Sequence, residues 1–348
     1  MPRLLLDCEK MKYANTGLYE FCKQLGFALL KNKAANEEMV FYMPRHLQGF
    51  FGNEGTYIKK NSLHKYWMPD FKPTVWHTTF QSTRYIPQPG KTPMVLTIHD
   101  LNAIHEKQAP AKIKAILKSV QKNIDRADHV VTISQFVMDD VKTHLNLGNK
   151  KTSVVYNGGH LETFPDFDAP AYRPATPFLF SLGGVNAKKN FHVLPALLKG
   201  NDYELIIAGP IFDEQYKQQI QVKAQEHGVA DRVKILGAIS YPDKYWYLSH
   251  CEGFLFPSIA EGFGIPVIEA MTMGKPCFLS TKTSLPEVGG PLSYYFLDFE
   301  PGSMQEVFRN GMLDYQQKNP AEAIKAYAAR FSYDNMAKGY LDIYRSLY

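Results

Sequence analysis

The sequence predicts an α/β protein built as two doubly wound parallel-sheet domains. Short apolar runs of strand length alternate with helix-period segments, which implies parallel sheets with helices on both faces. The alternation stops at residues 159–176, where Gly159, Pro165, Pro170 and Pro174 accumulate with few apolar residues in register, and it restarts at Phe178. A chain of 348 residues also suffices for two domains of ordinary size, each burying its own core. The expected divisions are a first domain over 1–158, a linker over 159–176, a second domain over 177–331 and a closing helix over 332–348.

Composition narrows the function classes. Hydrophobic residues make up 45% and charged residues 21%, an ordinary soluble balance. No apolar run approaches the roughly 20 residues that span a bilayer. Arg3-Leu-Leu-Leu-Asp-Cys8 is too short and too acidic at its end for a signal peptide, so a cytoplasmic location is expected. Cys8, Cys22, Cys251 and Cys277 are scattered and read as reduced thiols. A net charge of +5 permits attraction to anionic lipid or substrate phosphate but does not argue for nucleic acid.

In the first domain, Leu4–Cys8 predicts a strand and 9–16 a polar loop, and Leu18, Phe21, Leu25 and Leu29 mark one face of a helix. In the turn Asn15-Thr16-Gly17, Gly17 is either a close-approach glycine or the plain start of a helix capped by Thr16. Met39–Met43 predicts a second strand. Residues 44–72 lack clear periodicity and are rich in aromatic and basic side chains, among them Phe50, Tyr57, Lys60, Lys65 and Trp67. A substrate-binding segment and a surface insertion both fit. Thr74–His77 and Met94–Asp100 predict buried strands ending in polar residues, and ligands of open parallel sheets sit outside the carboxyl ends of strands. His99 is thus placed for chemistry, with Asp100 to orient its ring, and His77 is a second candidate. Residues 110–127 predict an amphipathic helix. Ile113, Ile116, Leu117, Val120 and Ile124 line one face, and Lys112, Lys114, Lys118 and Lys122 the other. It either faces the core or touches an anionic membrane surface. Strands at His129–Ser134 and Thr152–Asn157 complete the domain.

In the second domain, Phe178–Leu182 predicts a strand, and Gly183-Gly-Val-Asn-Ala-Lys-Lys-Asn190 a glycine loop entering a helix. Lysines at a helix start oppose its dipole, so Lys188 and Lys189 suggest an anion nearby. Tyr203–Gly209 and Arg232–Gly237 predict further strands, the latter running into the Ala238-Ile239-Ser240 turn. Tyr294–Phe296, a helix near 303–318 and two short helices finish the chain. Asp166-Phe-Asp168 has the spacing of a metal-binding pair but lies in the linker, so no metal site is assigned to it.

The most informative stretch follows the strand Gly253–Ser258. Glu261-Gly-Phe-Gly-Ile265 reads as a glycine loop, Pro266 suits the first position of a helix, Gly274 ends that helix, and Pro276–Thr281 is the next strand. Unpaired N–H groups and a positive dipole end at Ile265, with Gly262 and Gly264 allowing close approach, suit a phosphate. Two carboxylates beside a phosphate site need hydroxyls to bind. Glu261 ahead of the helix and Glu269 in its first turn can face two such groups, as a hexose joined through diphosphate to a ribose provides.

Pro257-Ser-Ile-Ala-Glu261-Gly-Phe-Gly-Ile-Pro-Val-Ile-Glu269-Ala-Met271, with its two glutamates separated by seven residues, resembles the motif of retaining glycosyltransferases of GT-B fold, family four in particular. The resemblance is clearest over 178–290. It implies two Rossmann-like domains facing across a cleft, the last helix crossing back to the first domain. It implies catalytic roles for His99, Glu261 and Lys189, with Lys189 gripping the diphosphate. It implies donor contacts from Gly17, Gly183, Gly184, Lys188, Ile239, Gly262, Phe263, Gly264, Ile265 and Glu269, the last on the ribose. An arginine usual near Gly184 in such proteins is absent, which leaves Lys188 or backbone N–H groups to replace it. No metal or other cofactor is implied. The expected reaction is transfer of a mannose- or glucose-type hexosyl group from a GDP- or UDP-linked donor to a hydroxyl of a glycan or lipid-linked acceptor, in polysaccharide synthesis. A non-catalytic sugar-nucleotide-binding protein is the alternative. An NAD-dependent oxidoreductase lacks the G-x-G-x-x-G turn it would need. A glycoside hydrolase would place its carboxylates on opposite sides of the bond, not on one loop–helix unit.

Overall fold

The computed structural model describes all residues except Asn15, so that position of the Asn15-Thr16-Gly17 turn lies outside the described residues. The chain divides into two compact units, one of residues 1–158 with 331–348, the other of 159–330.

The first unit holds a seven-stranded parallel sheet in the order β3-β2-β1-β4-β5-β6-β7. Its strands are β1 Arg3–Asp7, β2 Glu38–Met43, β3 Gly55–Lys59, β4 Val75–Thr78, β5 Met94–Ile98, β6 His129–Thr132 and β7 Lys151–Val154. The helices between them are α1 Gly17–Asn32, the single turn α2 Asn102–His105, α3 Pro110–Arg126 and α4 Gln135–His144. The second unit holds a six-stranded parallel sheet in the order β10-β9-β8-β11-β12-β13. Here β8 is Phe178–Leu182, β9 Glu204–Ala208, β10 Val233–Gly237, β11 Gly253–Phe256, β12 Cys277–Ser280 and β13 Tyr294–Phe296. Its helices are α5 Glu214–Glu226, α6 Tyr241–His250, α7 Ile265–Thr272, α8 Leu285–Gly289, α9 Pro301–Lys318 and α10 Ala321–Ala328. Central strands such as Glu204-Leu-Ile-Ile-Ala208 are buried along their whole length, as helices on both faces require. The strand order reverses between β1 and β4 in one sheet and between β8 and β11 in the other. Such switch points open the crevice in which doubly wound sheets bind ligands.

Two sequence expectations need correction. Residues 44–72 are not wholly irregular: β3 pairs in parallel with β2 as the sheet's edge. An edge strand has one neighbour and is only half-buried here, so Gly55-Thr-Tyr-Ile-Lys59 shows no strong apolar signal. The glycine loop after β8 enters no α-helix. It forms a 3₁₀ turn at Ala187–Lys189 and a second 3₁₀ stretch at Phe191–Leu198. Asn190 between them is left-handed (φ 57°) and Pro195 lies inside the second, so a continuous i→i+4 ladder cannot form.

The last helix, α11 Tyr333–Arg345, belongs to the first unit. Met336, Ala337, Tyr340, Leu341 and Tyr344 join the core formed by β1, β2 and α1. Arg345 forms two hydrogen bonds with the buried Glu37 carboxylate, at 2.7 and 3.0 Å. His77 is a core residue rather than a site residue. Its ring lies between the Tyr344 hydroxyl (2.6 Å) and the Thr97 hydroxyl (2.7 Å), and Thr97 also meets the Tyr340 hydroxyl at 2.8 Å. Burial pushes its pKa from 6.5 down to about 3. The unfolded chain therefore takes up this proton first. The contribution is intact above pH 6.5 and is lost as pH falls toward 3. Thermal melts from pH 8 to pH 4 are expected to show the melting temperature of the wild type falling relative to His77→Gln as pH drops below 6.5. Parallel curves would contradict a buried neutral imidazole. The comparison cancels Asp7, whose buried carboxyl is pushed up to about 8 and acts in the opposite sense.

Candidate functional site

The switch point of the second sheet brings the predicted donor residues together. Gly183 and Gly184 follow β8, and Ser258 to Gly264 follow β11. Gly264 caps α7 in the left-handed region (φ 117°), where glycine is favoured, and Pro266 occupies the second helical position rather than the first. Gly274, also left-handed (φ 71°), lies just beyond the helix end, as expected. Gly262, Phe263 and Ile265 form the approach to the helix, and Phe263 is buried.

Glu261 sits in this loop with Oε1 2.5 Å from Lys189 Nζ and 2.6 Å from Ser258 Oγ. Its backbone N–H donates to Thr283 Oγ1 at 3.0 Å, and its carbonyl accepts from Ser284 Oγ at 3.0 Å. Ser284 Oγ also reaches the Phe263 carbonyl at 2.8 Å, so the segment after β12 clamps the loop at two points. On the other side, the Lys188 carbonyl accepts from the Ile259 N–H at 2.9 Å and lies 3.1 Å from Ser258 Oγ. The Lys188 backbone thus ties this loop to Ser258 and Ile259, and Lys189 is a buried cation. The helix-dipole reasoning for Lys189 fails, because no α-helix starts there. What holds its charge is the Glu261 carboxylate and the ring of Phe256, 4.6 Å from Nζ.

Glu269 lies in the second turn of α7, not the first, and is buried. Its Oε1 accepts from Lys244 Nζ at 2.6 Å. Lys244 belongs to α6, whose start is fixed by a capping box between Ser240 and Asp243. The half-buried Ile239 lies just ahead of that cap. Lys244 was not singled out from sequence. The cap signal Ser240-x-x-Asp243 marks the helix, but only the fold carries its fourth residue to Glu269. Gly209 was also missed. It holds φ 139°, and a Cβ there would lie 2.1 Å from the Gly183 carbonyl oxygen. A Cβ on Gly183 would in turn press on Lys189 Cε at 3.0 Å, and one on Gly184 would meet the Phe212 ring. Beside this loop, Asn186 Oδ1 and Asn190 Nδ2 are buried without a hydrogen-bond partner. Such groups in a crevice are open to a polar ligand.

In the first unit, Gly17 opens α1, and Thr16 caps it by accepting from the Tyr19 N–H at 3.3 Å. A Cβ on Gly17 would meet nothing within 4 Å. His99 follows β5 and is buried, with Phe21 edge-on at 4.6 Å. Its Nε2 lies 2.8 Å from the Thr79 carbonyl, which can only accept, so Nε2 carries the proton and Nδ1 the lone pair. Burial lowers its pKa to about 4, which keeps the ring neutral. The Asp100 carboxylate accepts from the Asn102 N–H at 3.1 Å. The switch point of this sheet also holds a pair of buried acids, Asp7 and Glu9, missed from sequence. Burial alone would raise the Glu9 pKa, but the Lys12 hydrogen bond and the charges of Lys10 and Lys60 outweigh it and hold it low. Asp168 of the linker pairs with Arg173 at 2.8 Å and with Trp246 Nε1 at 2.9 Å, a structural role. No group of three or more potential metal ligands occurs among the described residues.

The family described as Glycosyl transferases group 1 matches residues 166–306, and that described as Glycosyltransferase Family 4 matches residues 31–163. The chain belongs to the family-4 glycosyltransferases. It is 26% identical to the O-antigen chain mannosyltransferase RfbU of Salmonella typhimurium over 69% of this chain and 66% of that protein. It is 25% identical to the serotype-specific mannosyltransferase WbdA of Escherichia coli over 72% of this chain and 32% of that protein. The match therefore spans just under two thirds of the one and about a third of the other. The fold of this family-4 chain is that of Anabaena HepE, solved in complex with UDP and glucose. The TM-score is 0.73 at 15% identity, covering 99% of this chain and 100% of that one. Two Rossmann-like parallel-sheet units of GT-B type are thus established. Among the described residues, no helix is long and apolar enough to cross a membrane.

Proposed function

We propose that the protein is a retaining hexosyltransferase that takes a sugar from a nucleotide-diphosphate donor and passes it to a hydroxyl of a glycan or lipid-linked acceptor, in polysaccharide synthesis. The observation that carries this reading is the pair of glutamates on one loop–helix unit, each held by a lysine, at the switch point of the second sheet. A glycoside hydrolase would place its two carboxylates on opposite sides of the bond, and an NAD-dependent dehydrogenase would need a G-x-G-x-x-G turn. The names of RfbU and WbdA favour mannose, and the ligands of HepE favour a nucleoside diphosphate. Lys189 and the positive end of α7 stabilise the diphosphate as the glycosidic bond breaks. Glu261 binds sugar hydroxyls, with Lys189 shared between it and the leaving group. Glu269, fixed by Lys244, accepts from the ribose. Asn190 Nδ2 has a spare proton for a phosphate oxygen. In the first unit, Gly17 and the neutral His99 are the residues assigned to ligand. On the apolar side of α3, Ile113, Ile116 and Leu117 are only half-buried between exposed lysines, and this helix makes the peripheral contact with an anionic membrane surface. Cosedimentation with phosphatidylglycerol vesicles tests that contact, and equal binding by Lys112→Glu/Lys114→Glu would remove it.

A thermal-shift screen against UDP, GDP and their sugars tests the donor class, since a ligand of the native state raises its melting temperature. No response to any of them would overturn the reading. Glu261→Gln is expected chiefly to lower turnover and Glu269→Gln chiefly to weaken nucleotide binding. Equal nucleoside-diphosphate dissociation constants in wild type and both variants would remove Glu269 from the ribose. Donor affinity is also expected to survive EDTA, because Lys189 and the α7 N-terminus supply the positive charge that a metal would otherwise bring to the diphosphate. Loss with EDTA and recovery with magnesium would contradict this.

A further inference from the structure

A cavity of about 590 Å³ in the first unit lies between the segment after β3, the loop from β4 to β5 and the later half of α3. Its volume suits a small ligand. Four cations line it, Lys65, Arg84, Lys122 and Arg126, and no carboxylate does. None of the four is paired with a carboxylate among the described residues, whereas the two lysines of the donor site each hold one. Arg126 is the most firmly built of them: its Nη2 donates to the Pro87 carbonyl, while its Nε is buried without a partner. Two aromatic rings flank the charges. Tyr66 is 79% exposed and Trp67 66% exposed, and the Arg84 guanidinium stands 5.4 Å from the Tyr66 ring centroid. Gln88, Pro89 and Arg126 also border a smaller cavity that reaches Met94, the opposite end of β5 from His99. The cavity is therefore separate from the His99 end of the sheet.

Unpaired guanidinium and ammonium groups without a competing carboxylate select an anion, and guanidinium forks suit phosphate. Exposed flat rings add a surface for the apolar faces of sugars. We propose that this cavity is a second carbohydrate site that takes a phosphate-bearing saccharide. On the glycosyltransferase reading, on which this role rests, it holds a part of the acceptor remote from the reacting hydroxyl.

Trp67 supplies the signal for the test. Glucose 1-phosphate is titrated into the full chain while tryptophan fluorescence is followed, with methyl glucoside as the neutral control and Trp67→Phe to identify the reporting ring. Glucose 1-phosphate is expected to change the Trp67 signal and methyl glucoside to do so far more weakly. The double variant Arg84→Gln/Lys122→Gln alters two exposed side chains and leaves the core untouched. It is expected to bind glucose 1-phosphate about ten- to a hundredfold more weakly while UDP and GDP bind as before. Wild-type affinity in that variant would overturn the proposal, as would equal binding of the neutral sugar. A Trp67 response to phosphatidylglycerol vesicles but not to glucose 1-phosphate would also overturn it, since the anion would then be a lipid headgroup. If neither UDP nor GDP binds but the variant-sensitive glucose 1-phosphate signal persists, the cavity stands as a phosphosugar site and the glycosyltransferase reading falls.

Discussion

Lys189→Ala is expected to lower turnover by roughly two to three powers of ten, the scale for losing one electrostatic stabiliser of a developing charge. A diphosphate gains negative charge as it departs, so a cation beside it favours the transition state over the ground state. The family arginine is absent from this loop, which leaves Lys188 as the one neighbouring cation of the loop that could compensate. The substitution has a second consequence. Glu261 lies 2.5 Å from Lys189 Nζ, and removing one partner of a largely buried pair leaves the other charge uncompensated. The melting temperature is therefore expected to fall together with turnover. The double variant Lys189→Met/Glu261→Gln separates the two effects: it is expected to regain stability without regaining activity. Lys188→Ala is expected to do less than Lys189→Ala. Full activity in Lys189→Ala would remove the glycine loop from the mechanism.

Gly209→Ala is expected to have the largest effect on stability, on the order of 3–4 kcal/mol. The new Cβ would lie 2.1 Å from the Gly183 carbonyl oxygen and 2.5 Å from its carbonyl carbon, and backbone atoms at a sheet switch point cannot move aside as a flexible side chain can. The residue would also have to hold φ 139°, where side chains are strained. Denaturant unfolding measures the loss, and a nucleotide titration on the surviving folded fraction reports whether the Gly183–Lys189 loop has shifted. A variant as stable as the wild type would mean that the loop after β8 yields freely. Gly17→Ala is the contrasting case. Its Cβ meets nothing within 4 Å and the helix start tolerates alanine, so stability is expected to stay near that of the wild type. A fall in activity without a fall in stability would then mark Gly17 as a point of ligand approach.

Much of this architecture was legible in the sequence because parallel sheets leave a direct trace. Strands buried on both faces must be apolar throughout, as in Leu205-Ile-Ile-Ala208. The turn before α7 was legible for a similar reason: only glycine is comfortable at φ 117°, and proline suits the first turn of a helix. The edge strand β3 was not legible, because a half-buried strand needs few apolar residues. Helix α5 shows only a narrow stripe, Tyr216, Ile220 and Ala224.

By itself, the sequence determined where the buried strands lie, where the alternation breaks, and that two glutamates stand on one loop–helix unit. Each of those properties depends on neighbours a few residues away. Only the tertiary structure decided what those glutamates touch. Lys189 and Glu261 are 72 residues apart in the chain, and Lys244 and Glu269 are 25 apart. They meet because the order of strands in the sheet brings different loops to one edge. The two histidines divide for the same reason. Both belong to strand ends with similar local sequence, but α11 returns to cover His77 and bonds its ring through Tyr344, while His99 lies beyond β5 against Phe21 and Thr79. A side chain's partners are set by which elements pack together, and local spacing carries no record of that.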